Sequence, residues 1–97
     1  MIYHVLHKHD WQKALEQGSY EAASLATEGF IHASKAHQVA SVLDRYFKGR
    51  DDLVVLHIDE HKLSSPFTYE FSASVNEEFP HIFGPINLDA VLKVEEL

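Results

Sequence analysis

The clearest hydrophobic pattern in the chain predicts an α-helix between residues 34 and 49. Apolar side chains recur there every three or four residues, which is the spacing of a helix with one buried face. These apolar positions are 39, 42, 43, 46 and 47. Ser34 is placed to cap the start of this helix and Gly49 to end it.

A shorter helix is predicted closer to the N-terminus. Asp10 is a favourable N-cap, and Gly18 is suited to the left-handed conformation that often ends a helix. Trp11, Ala14 and Leu15 fall on one face, which we expect to be buried. The polar segment 19–28 contains turn-forming residues and is predicted to be irregular.

Several segments have the composition of β-strands. They cover residues 1–7, 30–33, 53–58 and 67–71. A last strand is expected from Leu88 to Glu95, with the apolar side chains up to Val94 facing inward. Residues 79–86 contain two prolines and a glycine, which predicts a stiff loop. Two early helices followed by most of the strands favour an α+β fold, with the helices packed on a mixed sheet.

Length and composition narrow the class of protein. The 97 residues suit a single domain over residues 1–97, because no segment resembles a linker. The absence of cysteine excludes disulfides and thiolate metal sites. The longest apolar runs are too short to cross a bilayer, and the N-terminus does not resemble a signal peptide. We therefore expect a cytoplasmic protein.

The charge argues against two classes of partner. The formal net charge is −7, and the few lysines and arginines are scattered along the chain. Nucleic acids and anionic membranes are usually bound through clustered basic residues. Neither is therefore an expected partner. The unusual feature of the composition is its eight histidines.

Three histidines are candidates for a site. His4 shares a strand face with apolar residues and His32 shares one with Phe30, so both are expected to point inward. Buried imidazoles need partners for their ring nitrogens. These two are therefore either core residues bonded to the backbone or the walls of a cleft. His81, in the predicted stiff loop, is either a binding group or an exposed residue.

The remaining histidines carry no clear site. The segment His57-Ile58-Asp59-Glu60-His61 matches a zinc-peptidase pattern. That chemistry needs both histidines on one helical face, whereas this segment begins in a predicted strand, so a catalytic zinc is rejected. A phosphate-binding glycine loop is also absent. The histidines predicted to lie on the surface are His7, His9, His37 and His61.

Two charged residues add to the candidates. Glu70, on the predicted strand 67–71, either orients a hydroxyl or a histidine or belongs to the polar face of an edge strand. Arg45 lies beside the apolar stripe of the longer helix. It either pairs with an anionic ligand or is simply solvated.

Distinctive motifs lie at residues 2–4, 24–34, 52–59 and 79–86, and so cover essentially the whole chain. The most specific are Gly-Phe-Ile-His and Phe-Pro-His-Ile-Phe-Gly-Pro. In these motifs the chain resembles a small bacterial family, domain of unknown function 952. The family has no agreed biochemical activity, so the resemblance does not name a reaction.

The resemblance also implies a distant likeness to another fold. Proteins of this family look like shortened relatives of the ADP-ribosyltransferase fold, in which a split β-sheet holds NAD in a cleft. By that likeness His4 would contact the adenosine-side ribose, and His32 would pack on nicotinamide. Glu70 and His81 are both candidates for the group that acts at the other ribose. Neither lies in a recognisable catalytic motif of that fold.

The leading hypothesis is a histidine-lined cleft, for binding or for catalysis, that takes a small nucleotide-like ligand such as NAD. Its expected residues are His4, His32, His81 and Glu70 for catalysis, and His4, Ser24, His32, Ser34, Arg45 and His81 for ligand binding. One alternative is a non-catalytic domain for protein interaction or small-molecule sensing. Another is a divalent metal site, which would require three converging imidazoles. The oligomeric state is left open.

Overall fold

The computed structural model describes residues 1–97 as three α-helices and eight β-strands. The helices are α1 (Lys8–Gln17), α2 (Ala23–Glu28) and α3 (Val39–Tyr46). The strands are β1 (Ile2–His7), β2 (Ser19–Tyr20), β3 (Ile31–His32), β4 (Leu53–Ile58), β5 (Phe67–Ser72), β6 (Glu77–Ile82), β7 (Ile86–Asn87) and β8 (Val91–Glu96). Short 3-10 helices lie at Ala36–Gln38, Glu60–Lys62 and Leu88–Ala90. No helix combines the length and the hydrophobicity needed to span a membrane.

The strands form three small sheets with antiparallel pairing throughout. Their orders are β1-β4-β8, β2-β7 and β3-β6-β5. One isolated bridge connects the first sheet to the segment after β3. There the backbones of Tyr3 and Ser34 exchange two hydrogen bonds of 2.8 and 2.7 Å. The α+β fold with two main helices and a divided sheet is confirmed. The expectation of a mixed sheet is wrong, because every strand pair is antiparallel.

Strand β4 lies in the middle of the first sheet and is buried on both faces. Leu56 on one face belongs to the main core, a cluster of thirteen buried residues that includes Trp11 and Ala14 of α1. Val55 on the other face belongs to a smaller cluster that packs against α3. Because both faces are covered, β4 has a nearly continuous apolar sequence instead of an alternating one.

Helix α3 is shorter than the sequence pattern predicts. A 3-10 turn precedes it, and the backbone N–H of Lys35 donates to Oε1 of Gln38 at this start. Ser34 does not cap the helix, because its backbone is paired with Tyr3 instead. The apolar stripe packs on the core as predicted at positions 39, 42, 43 and 47. Tyr46 is the exception, with 63% of its surface exposed.

The first third of the chain differs from prediction in three details. Helix α1 begins at Lys8, so Asp10 lies in its first turn and is not the cap. Gly18 ends α1 in the left-handed conformation as predicted, with φ of 89°. Leu15, expected in the buried stripe, is exposed. The supposedly irregular segment 19–28 contains both β2 and α2, which are too short to produce a periodic pattern.

Two predictions for the last third of the chain are wrong. Most of the supposed stiff loop 79–86 belongs to β6 and β7. Pro80 is accommodated in β6 because its missing N–H lies on the side of β3, and β3 ends at His32. The predicted strand at 88–95 starts as a 3-10 turn, and the expected inward-facing Leu92 and Val94 are exposed. They lie on the edge strand β8, where no element covers them.

Candidate functional site

A groove of about 500 Å³ opens beside α3 and receives residues from both larger sheets. Its walls are mainly aromatic and aliphatic, with three histidines and three serines. The lining residues are His4, Val5, Ser24, His32, Ala33, Ser34, Val42, Tyr46, Phe47, Phe71, Ser72, Phe79 and His81. None of them is a lysine, an arginine or a carboxylate. Pockets of this size with apolar walls and a few polar groups are typical of small-molecule sites.

His32 and His81 form a side-by-side pair in this groove. They lie directly opposite each other in the register of β3 and β6. Their ring centroids are 5.6 Å apart and their planes are inclined by 73°. His81 therefore lies on a strand and not in the loop expected from the sequence. Because residues paired across a sheet share one face, the strand pairing itself brings the two imidazoles together.

The His81 ring is held from two sides. Nδ1 of His81 lies 2.6 Å from Oε1 of Glu70 on the neighbouring strand β5. Phe30 stacks on the imidazole, with a centroid distance of 4.0 Å and an interplanar angle of 16°. Glu70 reaches His81 diagonally, since Thr68 is the residue opposite His81 in the β5–β6 register. Both alternatives left open for Glu70 fit the structure, because its carboxylate binds a histidine and the residue is exposed on the edge strand β5.

His32 has a looser environment than His81. Its side chain is 57% exposed, so the expectation that it points into the core is wrong. Nε2 of His32 lies 3.2 Å from both carboxylate oxygens of Glu28, which is four residues earlier. Phe30 contacts its ring edge-on, with a centroid distance of 4.8 Å. Both paired histidines therefore have one ring nitrogen bound to a carboxylate.

His4 lies behind the pair and is buried. Its Nδ1 is 2.5 Å from the backbone carbonyl of His32, and its Nε2 is 3.1 Å from the hydroxyl of Tyr20. Burial lowers the pKa of His4 from 6.5 to about 4. Burial also raises the pKa of Tyr20 to about 12. A carbonyl can only accept, so neutral His4 carries its proton on Nδ1 and accepts from Tyr20 at Nε2.

His4 combines features of its two interpretations, core residue and cleft wall. Both ring nitrogens are satisfied within the protein, as expected for a core histidine, although the ring also forms part of the groove wall. Its bond to the His32 carbonyl connects it directly to β3. His4 therefore supports the strand that carries His32.

Of the three other residues predicted to contact a ligand, two line the groove and one does not. Ser24 and Ser34 line the groove, and the Ser24 hydroxyl donates to the backbone carbonyl of Phe30 at 2.7 Å. Arg45 does not line the groove. Its guanidinium lies 5.6 Å from the ring centroid of Tyr46, and Tyr46 does line the groove. Sequence reasoning did not identify the aromatic wall. This wall consists of Tyr46, Phe47, Phe71 and Phe79. The sequence signal for it was the apolar stripe of the longer helix, which includes positions 46 and 47.

The metal-site alternative receives no support from the geometry. No group of three or more His, Asp or Glu side chains is arranged to hold a metal ion. His57 lies in β4 and its Nε2 is 2.8 Å from Oε1 of Glu95, whereas His61 lies in a 3-10 helix. The zinc-peptidase pattern therefore does not form the helical site that such chemistry needs.

Comparisons with known proteins identify the family. A family model described as a protein of unknown function, DUF952, matches residues 5–94. The chain therefore belongs to the DUF952 family, which confirms the resemblance carried by its motifs. The comparison with curated proteins finds no match.

Solved structures of a related protein show the same fold. The X-ray structure of protein CC0527 from Caulobacter crescentus is 30% identical and has a TM-score of 0.90, over 99% of this chain and 84% of that one. The solution NMR structure of CC0527, also 30% identical, has a TM-score of 0.84 and covers 99% and 83% of the two chains. None of these comparisons names an ADP-ribosyltransferase, so that distant likeness stays a prediction.

Proposed function

We propose that this member of the DUF952 family binds a small nucleotide-like molecule in the groove, with NAD and its fragments as model ligands. The observation that carries the proposal is the His32–His81 pair on an aromatic wall, inside a concavity of about 500 Å³. A flat heterocycle fits such a wall, because aromatic rings stack favourably in offset or edge-on arrangements. The two imidazoles then supply the polar contacts that orient the ligand.

In this proposal His4 does not have the role that the family likeness implies. His4 was expected to contact a ribose, but both of its ring nitrogens are already bonded. A ribose contact would therefore require His4 to give up a bond. His32 and His81 each have a ring nitrogen without a partner in the protein, so they are the better ligand contacts.

An enzymatic version of the proposal assigns the chemistry to Glu70 and His81. An imidazole held by a carboxylate has a fixed orientation and can exchange a proton with a bound hydroxyl or water. His81 would be the catalytic residue, because it faces the groove, and Glu70 the positioning residue. Incubating NAD with the protein and separating the products by chromatography distinguishes turnover from a sensing role. Release of nicotinamide would indicate catalysis, and intact NAD that nevertheless binds would indicate sensing.

Thermal-shift titration tests the binding proposal. NAD, ADP-ribose and nicotinamide are each titrated into wild type and the His32→Ala/His81→Ala double variant. At least one of them should raise the melting temperature of wild type, since a ligand that binds only the folded state stabilises it. The double variant should lose this rise, and the exposed-histidine control His61→Ala should keep it. Equal shifts in all three proteins, or none in wild type, would refute the proposal.

A further inference from the structure

We infer that the groove selects ligands that place an uncharged hydrogen-bond donor at the histidine pair and rejects those that present a phosphate or carboxylate to it. This inference rests on the proposed function and specifies its ligand class. It follows from which ring nitrogens are already used, and from the charges around them.

The contact with Glu70 determines which ring nitrogen of neutral His81 carries the proton. A carboxylate can only accept, so Nδ1 of His81 carries the proton and donates to Oε1 of Glu70 across 2.6 Å. The neutral ring has one proton, so Nε2 has a free lone pair. No protein group bonds this nitrogen, whereas every fully buried side-chain nitrogen and oxygen has a partner. Nε2 of His81 is therefore an open hydrogen-bond acceptor.

The same reasoning applies to His32 with the nitrogens exchanged. Nε2 of His32 donates to the carboxylate of Glu28, so Nδ1 has the lone pair and is unpartnered. The third histidine of the groove contributes neither a donor nor an acceptor, because His4 is bonded at both nitrogens. The histidine pair thus offers two acceptors and no donor.

The charges around the pair reinforce this selectivity. A phosphate or carboxylate needs donors or cations, and no lysine or arginine lines the groove. The other side-chain donors of the lining are neutral hydroxyls, of Tyr46 and of the serines at 24, 34 and 72. Glu28 and Glu70 instead each bind one of the two imidazoles. An anion placed at the pair would meet two lone pairs with two carboxylates close by. A hydroxyl or an amide N–H would meet two unpartnered acceptors.

Matched ligand pairs test the inference at about pH 8, above the usual titration range of imidazole. Nicotinamide and nicotinate differ only in an amide against a carboxylate, and adenosine and AMP differ only in a phosphate. Calorimetry should show the uncharged member of each pair binding at least about tenfold more tightly, which corresponds to ~1.4 kcal/mol. Equal or tighter binding of nicotinate and AMP would overturn the inference while leaving the proposed function standing. Failure of all four to bind would overturn the inference, whereas the thermal-shift titrations with NAD and ADP-ribose test the proposed function separately.

A spectroscopic arm tests the tautomer without any ligand. Long-range 1H–15N spectra should show the proton of His81 on Nδ1 in wild type. Glu70→Ala removes its acceptor, so the Nε2–H form should increase and the preference for nicotinamide over nicotinate should fall. Glu78→Ala, an exposed glutamate of β6 without a histidine partner, is the matched control and should change neither. A wild-type proton on Nε2 of His81 would overturn the inference.

Discussion

Acid should destabilise this protein through one buried side chain, His4. Its pKa is about 4 in the folded protein, because burial disfavours the imidazolium, against 6.5 as the ordinary value. As the pH falls below 6.5, His4 binds a proton in the unfolded chain but not in the folded chain. Stability is therefore complete above pH 6.5, declines as the pH falls towards 4, and is not lowered further by this group below that.

The size of the effect follows from the two pKa values. The difference of 6.5 − 4 = 2.5 corresponds to about 3 kcal/mol in the limit of low pH, and to about 2 kcal/mol at pH 5. This is a large fraction of the stability of a typical domain, about 5–15 kcal/mol. Glutamine at position 4 can donate to the His32 carbonyl and accept from Tyr20 but does not titrate. His4→Gln should therefore remove this part of the pH dependence.

Urea unfolding of wild type and His4→Gln at several pH values between about 7.5 and 5 measures the effect. The difference in unfolding free energy between the two proteins should change by about 2 kcal/mol over this range, in favour of the variant at low pH. His61→Gln, at an exposed site, is the control and should follow wild type. A difference that stays constant with pH would show that His4 is not the buried neutral imidazole described above.

Three further predictions concern stability and are measured by the same unfolding assay. Tyr20→Phe removes the donor to Nε2 of His4, and leaving that buried acceptor unpaired should cost about 1–3 kcal/mol. Gly84→Ala would place its Cβ 2.4 Å from Oγ and 2.9 Å from Cβ of Ser65, so it should destabilise by about 1–3 kcal/mol. Introducing Ser65→Gly first should relieve most of that loss, and an unchanged loss would contradict the clash. Leu56→Ala, in a fully buried position, should cost about 2–5 kcal/mol, and a loss below 1 kcal/mol would contradict its place in the core.

The fold was predictable where one segment carried its own pattern. The apolar run of β4 and the periodic stripe of α3 were recognised because burial imposes their composition. The two-residue strands β2 and β7 gave no such signal, because they exist only through pairing with each other. Leu92 and Val94 were wrongly predicted to face inward for another reason. Alternation shows which side chains share a face, but not whether another element covers that face.

The candidate site was predictable in its histidines but not in its aromatic wall or its connections. The histidines 4, 32 and 81 line one groove, as the leading hypothesis expected. That Glu70 binds His81 depends on the β5–β6 register, which no local pattern encodes. The different roles of His4 and His32 depend on burial. Each lies on a strand, but only His4 has main-core residues on both sides along its strand face.

The site depends on β3, a strand that is stable only through its contacts with other parts of the chain. Strand β3 has only two residues, and so short a strand has little stability of its own. It is held by pairing with β6, by the Tyr3–Ser34 bridge and by the bond from His4 to the His32 carbonyl. An aliphatic residue at position 4 would fill the core but would leave that carbonyl without its donor. A buried histidine that weakens the fold in acid therefore also makes one of the three contacts that hold His32 beside His81.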